Sequence, residues 1–131
     1  MTHQEIANDF KQFTYECISN EKNIKEILPS FNNDILYRRI IINRLYYALF
    51  HKYLHEDHAL QSSNAPGQHT TILKKLSSKD AKLYQIYSKL YHLRIWADYN
   101  TDNNSQASEL NLTAINYQVH KVLNRSTFNI S

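Results

Sequence analysis

Glycine occurs once in the 131 residues, proline twice and cysteine once. Sheets are joined by many tight turns, and tight turns draw on glycine and proline. Their scarcity excludes a β-rich fold and predicts an all-α chain. The lone Cys17 excludes an intramolecular disulfide framework and fits a reducing compartment. No stretch approaches the roughly 18 consecutive apolar residues of a membrane span. The opening MTHQEIANDF lacks a basic region followed by an apolar run, so a cytoplasmic chain with no leader and no membrane contact is expected. Gly67 stands alone, which rules out a glycine-rich phosphate loop, and no Ser or Cys nucleophile has a base at an interpretable spacing. The net charge of +3 permits an acidic partner without supplying the dense basic stripe of a dedicated nucleic-acid binder.

What the chain does have is tyrosine, 10 of them, suited to a core that needs rigid bulk with a polar tip, and 7 histidines. Ile6, Phe10, Phe13 and Cys17 recur at helical spacing and predict an amphipathic helix over 3–19. A shorter helix is expected over 21–28, ended by Pro29. Asn32, Asn33 or Asp34 can cap a central helix running from 34 to about 57, apolar on most sides. The segment 59–68 reads as a loop and 69–76 as a short helix. Ser77 or Ser78 is expected to cap a long helix ending near 99, with Asp80 in its first turn. A loop at 101–105 and a last amphipathic helix over 106–124 complete one domain spanning 1–131, with frayed terminal residues. The expected architecture is a helical bundle.

Leu83, Tyr87, Leu90, Tyr91, Arg94 and Asp98 fall within about 100° of helical arc. A charged pair thus lies on an apolar stripe. Its order is unfavourable, because acid before base is the better arrangement, and Asp98 sits where the helix dipole disfavours an anion. Support must come from across the bundle. On the central helix Asn43 interrupts the apolar row of Leu36, Ile40, Tyr47, Phe50 and Leu54, with Arg44 and His51 beside it. Antiparallel packing would bring Asn43, Arg44, Tyr47 and His51 towards Arg94 and Asp98. Buried charges demand such mutual satisfaction.

The segments NRLYYALFH (43–51) and LRIWADYN (93–100), with His69 between them, resemble the HEPN superfamily, in particular small stand-alone members with an N-R-x-Y-Y-A-x-F-H … H … R-x-x-A-D-Y pattern. The likeness covers roughly residues 35–125. It implies an up-and-down bundle of four to five helices, commonly a homodimer. Many members are metal-independent endoribonucleases of toxin–antitoxin, CRISPR or antiviral defence systems, and several act beside a small nucleotidyltransferase. Active members carry an Arg followed after four to six residues by His on a late helix, with two copies meeting across the dimer. Here Tyr99 stands five residues after Arg94, whereas Arg44 and His51 match the spacing on the earlier, central helix.

Two classes of function follow. In the first, Arg94 and Arg44 grip a phosphate of RNA, His51 moves a proton and Asp98 orients, with no cofactor and no metal. In the second, an inactive bundle serves as an assembly module of a defence complex, its polar centre setting helix register. Each residue also has a plain structural role available. Arg94 can be an ion-pair partner, His51 a hydrogen-bonded bundle histidine, His69 a helix-terminal residue, Tyr47 and Tyr99 core or interface aromatics, and Asn43 a bridge between polar groups. His51, His55 and His58 have metal-like spacing, but Lys52 occupies the position where a zincin helix places its Glu, so a solvated helix end is the better account. The basic residues Arg38, Arg39, Arg44, Lys74, Lys75, Lys79 and Lys82 could track a phosphate backbone or line ordinary wet helix faces.

Overall fold

The computed structural model describes residues 1–32, 34–62, 67–99, 110–128 and 130. Among these there is no strand, and the chain forms a helical bundle. Its helices are α1 (His3–Ser19), α2 (Glu21–Ile27), α3 (Asp34–Glu56), α4 (His58–Gln61), α5 (Gln68–Lys79), α6 (Ala81–Tyr99) and α7 (Leu112–Leu123), with a 3-10 turn over Pro29–Asn32. No helix among the described residues is long and apolar enough to cross a membrane.

Helix α3 is the axis. Tyr37, Ile41, Ile42, Leu45, Tyr46, Ala48, Leu49 and Tyr53 are all at 0% exposure, which covers most of its circumference. Full burial of an aliphatic side chain contributes about 1.5–3 kcal/mol, so a helix apolar on most sides can only sit in the middle. Helix α1 packs antiparallel on it: His3 meets the α3 C-terminal end at His51, while the Tyr37 hydroxyl donates to the Cys17 carbonyl at the other end. Helix α6 is antiparallel too, its last carbonyls meeting Arg39 near the start of α3. Helix α7 runs parallel to α3, since Arg38 donates to the Leu110 carbonyl just before it and Lys52 to the Arg125 carbonyl just after it.

Caps explain the boundaries. Thr2 and Glu5 form a reciprocal capping box at the start of α1. Between α5 and α6 the break falls at Asp80, not at the expected Ser77 or Ser78. Those two hydroxyls bond back to the Lys74 and Lys75 carbonyls inside α5, whereas the Asp80 carboxylate accepts the Leu83 N–H at 3.0 Å and the Arg125 guanidinium at 3.0 Å. Helix α7 begins later than 106, at Leu112, where the Asn111 side chain accepts the Ala114 N–H. The expected loop over 59–68 contains α4, capped by Asp57. Residues 63–66, the loop at 101–105, the residues 106–109 of the expected last helix, and Asn33 as a cap lie outside the described residues.

Near the C-terminus the described residue Phe128 is not frayed, while residues 129 and 131 lie outside the described residues. Phe128 is at 0% exposure, and its N–H donates to Glu56 Oε1 at 2.7 Å. Burial of one aromatic ring and a backbone bond to a carboxylate hold this segment against the end of α3.

Candidate functional site

Arg94 is one of three polar or charged residues that are buried among those described, at 6% exposure. It stands in the last third of α6, facing α3. Its guanidinium carbon lies 5.2 Å from the Tyr46 ring centroid, 5.6 Å from Tyr91, 5.8 Å from Tyr47 and 6.0 Å from Tyr99. Four electron-rich rings form the wall, as cation–π attraction favours. Tyr46 is fully buried, Tyr47 and Tyr91 are half-buried, and Tyr99 is 73% exposed, so the wall opens on one side.

Asp98 stands at the rim, one turn on. Its Oδ2 lies 3.6 Å from an Arg94 terminal nitrogen, longer than a hydrogen bond, and its Oδ1 accepts the Asn43 amide at 2.9 Å. Arg94 Nε is buried and has no hydrogen-bond partner among the described residues. A guanidinium carries five donors in a fixed fork, and a buried charged donor left unmade is costly. The unfavourable position of Asp98 near the end of α6 is relieved across the helix pair. Asn43 takes one oxygen, and Arg39 donates to the Trp96 and Ala97 carbonyls at 2.8 and 3.0 Å, filling the orphan acceptors that make a helix C-terminus negative.

His69, in the first turn of α5, enters from the third side. Its Nδ1 is hydrogen-bonded to the Tyr46 hydroxyl, and its ring stacks on Phe50 with centroids 4.6 Å apart. It shares Tyr46 and Tyr91 with Arg94 as neighbours. Burial, and then the positive charge of Arg94, hold the imidazole pKa below its ordinary value, so His69 is neutral at pH 7. Behind it the Tyr87 hydroxyl, in a fully buried side chain, donates to Tyr46 at 3.4 Å.

Arg94, Asp98, Asn43, Tyr47, Tyr99 and His69 therefore belong to one constellation. Arg44 and His51 do not join it as expected. The Arg44 guanidinium sits 4.9 Å from the Phe10 ring and, with Asp9, Phe10 and Phe13, lines a shallow groove against α1. His51 stacks on His3, Nδ1 to Nδ1 at 2.8 Å, and is set edge-on to Phe10. Burial and the neighbouring His3 push its pKa down to about 4. Both residues project sideways from the Asn43 row, and on α3 that direction points at α1. The direction of α1 could not be read from α3 alone.

The remaining motifs resolve into structural roles. His55 and His58 are exposed while His51 is turned to α1, and among the described residues no three metal-capable side chains gather. Arg38 holds Asp34 and the Leu110 carbonyl, Arg39 holds the end of α6, and Lys75 pairs with Asp57 at 2.8 Å. Sequence reasoning missed Tyr46 and Phe50 as parts of the site. The signal was there: Tyr46 lies three residues after Asn43 and one before Tyr47, so it shares the edge of helix that faces α6.

The chain matches no family model, no curated protein and no solved structure.

Proposed function

We propose that this chain is a HEPN-like RNA-binding and RNA-cleaving protein of a toxin–antitoxin or defence system, with Arg94 as its phosphate grip. The observation that carries the reading is the buried Arg94 guanidinium, walled by tyrosines, with an Nε that no described residue accepts from. A phosphate offers that donor an acceptor, and a planar guanidinium can take two of its oxygens at once. Exposed and half-buried tyrosines at the rim suit unstacked bases.

Cleavage proceeds by metal-independent transesterification. The ribose 2′-oxygen attacks the adjacent phosphorus, the P–O5′ bond breaks, the 2′ proton passes to a base, and O5′ takes up a proton from water. Arg94 stabilises the charge that builds on the phosphoryl oxygens. The imidazole within the constellation is His69, held neutral at pH 7 by burial first, whereas His51 is turned to α1.

The test is incubation of the purified protein with mixed RNAs in EDTA, read by gel mobility and by the 2′,3′-cyclic ends of products. Arg94→Ala is expected to weaken binding by tenfold or more and to abolish cutting with helix content unchanged; charge-assisted bonds of about 1.5–3 kcal/mol set that scale. Binding and cutting retained in Arg94→Ala overturn the site. The assembly-module reading is favoured by one feature, the tie of Asn43 to Asp98 beside Arg94, which joins α3 to α6 without any ligand. A wild type that neither binds nor cuts RNA selects it.

A further inference from the structure

We infer that His69 serves the Arg94 cleft as a hydrogen-bond donor through Nε2–H, with Tyr46 as the positioning residue that fixes this tautomer, so that the cleft recognises an oxyanion and does not take a proton at His69. The inference rests on the reading of Arg94 as a phosphate grip and decides whether His69 acts there as a base or as a donor.

The argument starts in the core. The Tyr87 side chain is at 0% exposure, and its hydroxyl donates to the Tyr46 oxygen at 3.4 Å. Tyr46, also at 0%, has the Nδ1 of His69 as its other hydroxyl partner. A tyrosine hydroxyl has one proton to give. Tyr87 spends its proton on Tyr46, so Tyr46 spends its own on His69 Nδ1. A neutral imidazole that accepts at Nδ1 carries its hydrogen at Nε2. The reverse arrangement, with Nδ1–H donating to Tyr46, leaves one of the two buried hydroxyl protons without an acceptor, which folded proteins avoid.

The rest of the surroundings support the neutral, fixed ring. From α3 the titratable neighbours are Tyr46 and Tyr47; from α6 they are Tyr91 and the charged Arg94, and no carboxylate is among the causes acting on His69. Phe50 stacks at 26° to the imidazole and sets its plane. Burial and the Arg94 charge both oppose a second proton. Arg94 Nε–H and His69 Nε2–H are then two donors among the same tyrosines, Tyr46 and Tyr91. If cutting occurs, the 2′ proton leaves to solvent.

Two-bond proton–nitrogen spectra of the full chain labelled with 15N-histidine read the tautomer directly. At pH 7.5 His69 is expected to show the Nε2-protonated pattern, and Tyr46→Phe to shift it to a mixture, while Tyr84→Phe leaves it unchanged. Tyr87→Phe provides a second variant: Tyr46 keeps its proton and has His69 Nδ1 to receive it, so the Nε2-protonated pattern is expected to persist. Titration with inorganic phosphate and with a 2′-O-methyl RNA oligomer distinguishes a free phosphate from a phosphodiester. At least one is expected to shift the His69 Nε2 signal in the wild type and to bind about threefold to tenfold more weakly to Tyr46→Phe. An Nδ1-protonated or doubly protonated His69, a tautomer indifferent to Tyr46→Phe, or no shift with either probe overturns the inference. An intact Nε2–H pattern in a protein that binds no RNA overturns the RNA reading and leaves the tautomer assignment standing.

Discussion

Lys52–Glu56 on α3 and Arg94–Asp98 on α6 are the same local motif, a base followed four residues later by an acid, with both cations turned inward. Their separations are alike, 3.8 and 3.6 Å, and the cationic side chains are 7% and 8% exposed. Their surroundings differ. Lys52 donates to the Arg125 carbonyl at 3.0 Å and lies over the Phe128 ring, and Glu56 accepts the Phe128 N–H. The chain's own C-terminal segment meets that pair with backbone, although Glu56 Oε2, like Arg94 Nε, has no hydrogen-bond partner among the described residues. Among the described residues Arg94 meets side chains: four tyrosines that offer ring faces, and an aspartate that shares itself with Asn43. A compact ammonium held by one carbonyl, a carboxylate and a ring face is a fastener. A five-donor guanidinium whose Nε has no partner among the described residues fits the receptor proposed above. Position in the bundle, not the motif, separates the two.

The largest effect should come from breaking the fastener. Lys52→Ala leaves Glu56 buried without its cation and is expected to cost about 3 kcal/mol or more in urea unfolding, whereas Lys52→Met with Glu56→Leu should recover most of it. Should Lys52→Ala cost less than Arg94→Ala, the two pairs would exchange roles. Acidification is the next test. Below its ordinary value near 6.5 the unfolded chain takes up a proton at His51 that the native chain refuses until about pH 4. Native stability is therefore complete above pH 6.5, falls as the pH drops towards 4, and loses nothing further at this residue below that. His69 and His120 are shifted in the same direction, burial being the first cause in each. The slope of stability against pH between 6.5 and 4.5 should be shallower in His51→Gln; an unchanged slope would place its titration elsewhere. The smallest effect is Asn43→Ala, about 1 kcal/mol in stability. Asp98, released from Asn43, should close on Arg94 and weaken phosphate binding slightly. Tighter binding in that variant would show that Asn43 holds Asp98 against Arg94 instead of away from it.

Much of the fold was legible before any coordinates. The all-helical class followed from the missing glycines and prolines, and the central place of α3 from apolar residues on most of its sides. The inward turn of Arg94 followed from its place on the stripe of Leu83, Tyr87 and Leu90, and the approach of Asn43 to Asp98 from their places as polar intruders on two facing apolar rows. Boundaries were less legible where short polar residues compete, as when Ser77 and Ser78 bond back inside α5 and leave the cap to Asp80. The burial of Phe128 was not legible at all, because a lone aromatic near a chain end has no periodicity to mark it.

Sequence alone determined the helical class, the axis of the bundle and the presence of a cation where apolar residues belong, since these depend on composition and on a 100° repeat carried within single helices. The tertiary structure decided which polar groups meet. It sent His51 and Arg44 to α1, brought His69 to Tyr46, and closed one of two like pairs with backbone while leaving the other open. Those outcomes depend on the angle at which separate helices approach, and side-chain spacing along one helix carries no information about the neighbour that fills the space beside it.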